Sequence, residues 1–215
     1  MATEKVQAQG QSTVFVIDDD PAIRQGISSL LRSVNIGAEI FSSPQEFSPD
    51  KLPDAPCCLV LDVRFRSASG LDLQAELDNA GINIPIVFIT GHGDIPMTVR
   101  AMKAGAAEFL TKPLKDDVLM SAIGAALERS RAARRLDAEL QRLRSCYESL
   151  TRREQEVMTR VTAGMLNKQV GSDLGISEIT VKAHRGHVMR KMKAASLPDL
   201  VTMAARLGLQ PTPKY

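Results

Sequence analysis

The sequence has no tryptophan and only 4% aromatic residues, so its cores must be built from aliphatic side chains. Of its three cysteines, Cys57 and Cys58 are adjacent and Cys146 is distant. They supply neither a disulfide framework nor the spacing of a zinc site. No apolar run approaches the roughly 18 residues of a membrane span, and no N-terminal stretch has the form of a signal peptide. The expectation is a cytoplasmic chain without membrane contact. No segment fits Gly-x-x-x-x-Gly-Lys-Ser/Thr, which excludes a P-loop NTPase. Internal repeats and low-complexity tracts are also absent. Net charge is small, at +2 over 215 residues, but it is unevenly spread. Residues 1–128 carry 10 Lys and Arg against 17 Asp and Glu, residues 129–148 carry 6 against 3, and residues 149–215 carry 11 against 5. An acidic front and a basic back imply two domains with different partners.

What is present in the front half is a set of short apolar runs, each ending in a polar residue. Val14–Ile17 runs into Asp18 and Asp19, Cys57–Leu61 into Asp62, Ile86–Ile89 into Thr90, and Ala107–Thr111 into Lys112-Pro113. Unbroken runs of this kind read as strands buried on both faces of a parallel sheet. Gly37–Phe41 reads as one more strand. Helices alternate with them, over 21–34, after Ser43-Pro44, from about Gly70, after Asp94-Ile95-Pro96 and from Asp116. Asp20-Pro21 and Ser43-Pro44 carry the cap-then-proline start signal. Gly81 and Gly105 are placed to end the third and fourth of these helices. Five strands and five helices imply a doubly wound α/β domain.

At the carboxyl edge of such a sheet, where open α/β sheets bind ligands, Asp18, Asp19, Asp62, Thr90 and Lys112 converge. Carboxylates are hard oxygen ligands that can hold Mg²⁺. Asp18 and Asp19 are assigned to the metal, Asp19 more directly. Asp62, last on the central strand, is placed to attack phosphorus and form an acyl phosphate. Thr90 can hydrogen-bond a phosphoryl oxygen and Lys112 can pair with it, so charge neutralisation does most of the work. Lys112-Pro113 is a candidate cis peptide. Asp20 is read as a helix cap.

The organisation expected is a disordered arm (1–11), an α/β domain (12–128), a helical linker (129–148), an all-helical domain (149–210) and a tail (211–215). In the linker, Leu136, Leu140, Leu143 and Tyr147 make a seam of about two heptads. It either packs on its own chain or contacts a second copy. Thr151 and Glu154 form a capping box. Residues 168–174, the turn Gly175-Ile176-Ser177 and a helix from Ser177 to about Lys193 read as helix-turn-helix. A last helix covers about Pro198–Leu207. On the longer helix, Val181, Val188 and Met192 face inward. Ile179, Lys182, Ala183, Gly186, Arg190 and Lys193 lie broadly opposite, a basic face with small residues suited to a major groove.

Two resemblances cover nearly the whole chain after residue 11. The stretches around Asp18-Asp19-Asp20, Asp62-Val63-Arg64, Thr90 to Asp94 and Phe109 to Pro113 resemble a two-component receiver domain. This implies a flavodoxin-like sheet of order 2-1-3-4-5, the order of the chemotaxis receiver. It also implies phosphorylation of Asp62 by a sensor histidine kinase. Mg²⁺ or Mn²⁺ would be held by Asp19, Asp62 and the Arg64 backbone carbonyl, with Phe109 as the aromatic switch that moves with Thr90. The chain departs from that family at Phe65-Arg66, where Met-Pro is usual. Leu150-Thr151-Arg152-Arg153-Glu154, Gly164, Asn167-Lys168, Leu174 to Ser177 and Thr180 to Arg185 resemble the LuxR-type helix-turn-helix. Together they resemble the NarL/FixJ class of response regulators, on the FixJ side. DNA contacts carried over are Lys182, Ala183 and Gly186 to bases, and Lys168, Thr180 and Arg185 to phosphates. His184 is read as packing or touching a phosphate rather than as a metal ligand. His92 and His187 have no assigned role.

The function expected is a phosphorylation-controlled transcription regulator, read as an activator and not as an enzyme. Its implied partners are the kinase, double-stranded promoter DNA, RNA polymerase and, once phosphorylated, a second copy of itself. An aspartate-nucleophile phosphatase would want Asp where Arg64 stands. A DNA-binding protein with a vestigial receiver conflicts with the intact Asp19, Asp62, Thr90 and Lys112. An RNA-binding antiterminator fits the basic helix-turn-helix less well than duplex DNA does.

Overall fold

The computed structural model describes residues 12–65, 69–91 and 95–209. The expected arm (1–11) and tail (211–215) lie outside the described residues. The described chain forms two compact units that divide between Arg134 and Arg135. In the first, five strands form one sheet: β1 (Thr13–Ile17), β2 (Gly37–Phe41), β3 (Cys57–Asp62), β4 (Ile86–Thr90) and β5 (Glu108–Thr111). Every neighbour pairs in parallel, in the order β2-β1-β3-β4-β5. This is the flavodoxin-like sheet expected.

Four helices cover the sheet: α1 (Pro21–Ser33), α2 (Gly70–Asn79), α3 (Ile95–Lys103) and the first part of α4 (Asp116–Glu148). Alternation along the strands decides which residue faces which helix layer. Phe15, Ile17, Leu59, Leu61, Ile86 and Phe88 pack on one face with Leu73 and Leu77 of α2 and Ala101 of α3. Val14, Val16, Cys58, Val60, Val87 and Ile89 pack on the other. Their partners are Ile27 and Leu31 of α1, and Leu119, Ile123 and Leu127 of α4. Covered on both sides, all six residues of β3 are buried. Each large aliphatic side chain buried here contributes about 1.5–3 kcal/mol, so the central strand is held where it is. Burial also pushes the Cys58 thiol up to about 12, which leaves it inert.

One expectation fails. In place of a short helix after Ser43-Pro44 there are two 3₁₀ turns, Pro44–Glu46 and Pro49–Lys51. Pro49 and Pro53 follow too closely for an α-helix to propagate, since each removes a donor and clashes with the preceding turn. The α-helices described in this unit therefore number four rather than five.

Register brings the polar strand ends level. Ile17 pairs with Leu61 and Asp62 with Ile89, while Thr90 pairs with Thr111. Asp18 thus stands beside Asp62, and Thr90 and Lys112 stand one step beyond, all at the carboxyl edge.

The second unit contains α4 from residue 135 onward, α5 (Arg152–Thr162), α6 (Asn167–Leu174), α7 (Glu178–Met192) and α8 (Leu197–Arg206). Its core is aliphatic, with Leu143, Leu150, Met158, Val188, Met192 and Leu200 in one cluster. Val157, Val161, Val170 and Val181 form another. Within the seam on α4, Leu143 is buried and Tyr147 packs beside it, so this half packs on its own chain. Leu136 is 62% exposed and takes no part in that core. Gly175 ends α6 at φ +66, a conformation in which a side chain would be strained. A Cβ on Gly171 would meet the Ile176 carbonyl at 2.8 Å, so the tight turn requires glycine there too.

The expected capping box is present. Thr151 Oγ1 accepts from the Glu154 N–H at 3.3 Å, and Glu154 Oε2 accepts from the Thr151 N–H at 2.8 Å. Oε2 also accepts from Lys191 Nζ at 2.7 Å, tying α5 to α7. Burial by itself would raise the Glu154 carboxyl. The Lys191 ammonium and the Thr151 N–H outweigh it and hold the group at about 2, below its ordinary 4.5. A carboxyl depressed on folding stabilises the fold above its unfolded value and loses that contribution as protons bind. The protection factors of α5 and α7 amides, taken relative to the intrinsic exchange rate at each pH, are expected to fall as pH falls from 4.5 towards 2. Glu154→Gln is expected to flatten that dependence, and an unchanged pH profile in the variant would refute the linkage.

Candidate functional site

At the carboxyl edge of the sheet, Asp18 is fully buried, Asp62 is 5% exposed and Asp19 is open to solvent. One carboxylate oxygen from each of the three lies within 4.8 Å of the others. Lys112 Nζ donates to Asp18 Oδ2 at 2.7 Å and to Asp62 Oδ2 at 2.6 Å. The remaining oxygens of these two carboxylates are also engaged: the Asp20 N–H donates to Asp18 Oδ1 at 2.8 Å, and the Arg64 N–H to Asp62 Oδ1 at 3.1 Å. Burial pushes the Asp18 carboxyl up, against the opposing pull of Lys112 and the Asp20 N–H. For Lys112 burial acts to lower the ammonium, but its bonds to Asp18 and Asp62 prevail and raise it. The lysine therefore stays charged between two carboxylates.

Local structure holds each group. Asp20 caps α1, its Oδ1 accepting from the Ala22 N–H at 2.8 Å. Thr90, the last residue of β4, is fully buried, and its carbonyl accepts from the Lys112 N–H at 2.7 Å. The Lys112-Pro113 peptide is cis. Phe109 is half-buried on β5, with its ring 6.2 Å from that of Phe88. Phe65 packs against the core, whereas Arg66, His92 and Asp94 lie outside the described residues.

Three features are not evident in the sequence. Lys112 bridges two carboxylates rather than facing outward to an anion. Arg24 Nη1 donates to the Asp18 carbonyl at 2.6 Å and fixes the first acidic turn from α1. A Cβ on Gly70 would lie 2.2 Å from the Asp62 carbonyl oxygen, so α2 can approach β3 only because residue 70 has no side chain. The last is foreseeable in part, since a glycine between packed elements often marks a close approach of backbone.

The second constellation lies on α6 and α7. Lys168, Lys182, Ala183 and Gly186 are exposed, while Thr180 and Arg185 are half-buried. Lys182 pairs with Glu178 at 3.2 Å on an exposed helix surface. Such a pair contributes at most about 0.5 kcal/mol and leaves the lysine available. Arg185 Nη1 donates to Asn167 Oδ1 at 3.3 Å, joining α7 to the start of α6. Ile179 is 78% exposed on the same helix.

Residues 14–124 match the response regulator receiver domain family, and residues 148–204 match the bacterial regulatory proteins of the luxR family. The chain belongs to the NarL/FixJ class of two-component response regulators. It is 50% identical over 203 residues to Nodulation protein W of Bradyrhizobium diazoefficiens, covering 94% of this chain and 89% of that protein. Over 203 residues it is 40% identical to the transcriptional regulatory protein FixJ of Rhizobium meliloti, covering 93% and 98% of the two chains. The solved structure of the response regulator StyR is similar at a TM-score of 0.80, with 44% identity and coverage of 91% and 99%. This response regulator thus has a receiver and a LuxR-type DNA-binding domain, in a family of non-enzymatic transcription regulators. No helix among its described residues is long and apolar enough to cross a membrane.

How tightly the site is built can be tested at Gly70. Gly70→Ala is expected to lower stability to urea by about 1–3 kcal/mol, because backbone must shift to admit the methyl group. Gly26→Ala in α1, where nothing lies within 4 Å of the new methyl, is expected to lose nothing and to gain up to about 1 kcal/mol. Equal effects of the two substitutions would show that the α2–β3 approach is not tight.

Proposed function

We propose that a sensor histidine kinase phosphorylates Asp62 and that the phosphoryl group controls dimerisation and DNA binding, regulating transcription in the activating direction. The observation that carries this reading is the buried Asp62 carboxylate, 2.6 Å from Lys112 and within 4.8 Å of the Asp18 and Asp19 carboxylates. Asp62 attacks phosphorus as the P–N bond to the kinase imidazole breaks, and an acyl phosphate forms. Lys112 then has a phosphoryl oxygen as a further partner, and Thr90 at the end of β4 supplies a hydroxyl.

Receiver domains generally bind Mg²⁺ in an acidic pocket. The donor set here fits such an ion, or Mn²⁺: three carboxylates, all hard oxygen donors, with one ammonium among them. Asp19 and Asp62 would hold it with the Arg64 carbonyl, and Asp18 would act with Asp19. When bound, the metal supplies positive charge that screens a phosphoryl group from these carboxylates. With acetyl phosphate and Mg²⁺, the chain is expected to gain one phosphoryl group by mass spectrometry. Asp62→Asn or a chelator is expected to abolish it, and labelling undiminished in Asp62→Asn would end the assignment.

A lone helix-turn-helix reads one half-site, and promoter control uses two about one helical turn apart. Thr90 and Phe109 form the element that links phosphorylation to pairing. As Thr90 turns to the phosphoryl group, Phe109 moves inward and remodels the face of α3 and β5 for a second copy. On the DNA side, Lys182 reads a base edge, Ala183 and Gly186 permit close approach, and Lys168, Thr180 and Arg185 hold phosphates. The chain's basic second half and its likeness to a transcriptional regulatory protein support duplex promoter DNA, with RNA polymerase as the downstream partner. Lys182→Ala is expected to lose about 1–3 kcal/mol of discrimination at one base pair. Lys168→Ala is expected to weaken all sequences alike and reduce the salt slope by about 1. Equal losses on specific and random DNA in both variants would make Lys182 a phosphate contact only.

A further inference from the structure

The second unit contains a cluster that neither phosphorylation nor DNA contact uses. His184 and His187 are three residues apart on α7, so they project from adjacent turns of one side of the helix. Glu154 of α5 meets them there, and one ligand atom from each of the three residues lies within 4.8 Å of the others. Glu154 uses Oε2 for the Thr151 N–H and for Lys191. Its Oε1 faces His187 Nδ1 at 3.4 Å. His184 Nδ1 is buried and has no hydrogen-bond partner among the described residues. A buried ring nitrogen in that state is unfavourable unless something engages it.

We infer that Glu154, His184 and His187 form a binding site for a borderline divalent metal ion of the Zn²⁺ class, clamping α5 to the DNA-facing helix α7. Two imidazoles and a carboxylate are a donor set found in zinc sites that keep one position open. Tetrahedral Zn²⁺ with ligands at about 2.0–2.1 Å sets those atoms about 3.3 Å apart. The Glu154–His187 pair, at 3.4 Å, is already close to that spacing. One ligand atom of His184 lies within 4.8 Å of one from each of the other two residues. Mg²⁺, which prefers oxygen ligands throughout, is not matched to this set. Sequence reading assigns His187 no role and treats His184 as no metal ligand, because the third donor comes from 30 residues upstream of His184 in the chain. His184 and His187 flank Arg185 and Gly186, two residues of the proposed DNA face, so an ion here would fix the rotation of that face.

The test is a calorimetric titration of the full chain with Zn²⁺ in excess Mg²⁺, which occupies the acidic receiver site. One Zn²⁺ per chain is expected, with a melting temperature that rises on Zn²⁺ addition. His187→Ala, at a half-exposed position that tolerates the change, is expected to weaken binding at least about tenfold and to remove the thermal shift, as loss of one of three protein ligands should. Asp62→Asn is expected to keep both. Absence of Zn²⁺ binding in excess Mg²⁺, or equal affinity in His187→Ala and the unaltered chain, would overturn the site.

Discussion

Two carboxylates from different strands, Asp18 and Asp62, are buried side by side, and one ammonium makes that arrangement tenable. Without Lys112 each would have a like charge beside it and little water to screen it. Removing one partner from a buried, hydrogen-bonded charge pair costs about 3–5 kcal/mol, a large share of the roughly 5–15 kcal/mol that holds a typical domain folded. The position of β5, the loop after it and the edge of the sheet are therefore coupled to the chemistry of the site. On the proposed reading, a phosphoryl group on Asp62 or a bound cation would change the partners available to Lys112, which is bonded through its N–H to the carbonyl of Thr90.

The second unit is organised on the same physical plan at smaller scale. Glu154 is a buried carboxylate held by a lysine from another helix and by a backbone N–H at a helix start. It serves as cap, as interhelical tie and as one corner of the histidine cluster. In both units a lysine bonded to buried carboxylates, Asp18 and Asp62 in the first and Glu154 in the second, fixes how one element sits on another.

The parallel sheet requires α2 to come very close to β3, and Gly70 meets that requirement. Gly171 does the same for the turn between α6 and α7. Neither residue is itself in a proposed site, yet each sets the position of residues that are: Asp62, the proposed phosphoryl acceptor, in one unit, and the proposed DNA face around Lys182 in the other.

Element ends are legible in the sequence because their signals are local. Asp20-Pro21, Ser177, the Thr151–Glu154 box and glycines at 81, 105 and 175 each act within a few residues of themselves. Strand burial is legible because unbroken apolar runs admit few other folds, and the strand order follows from family likeness. The proline-spaced crossover after β2 reads as one helix because Ser43-Pro44 is a sound start signal, whereas propagation depends on Pro49 and Pro53 further on. Which acids, hydroxyls and amines share an edge can be inferred from alternation. How they bond cannot. Lys112 lies 94 residues from Asp18 and 50 from Asp62. Glu154 lies 37 from Lys191. Whether such groups meet within hydrogen-bonding distance or face solvent is decided by register and helix packing, to which no short stretch of sequence has access.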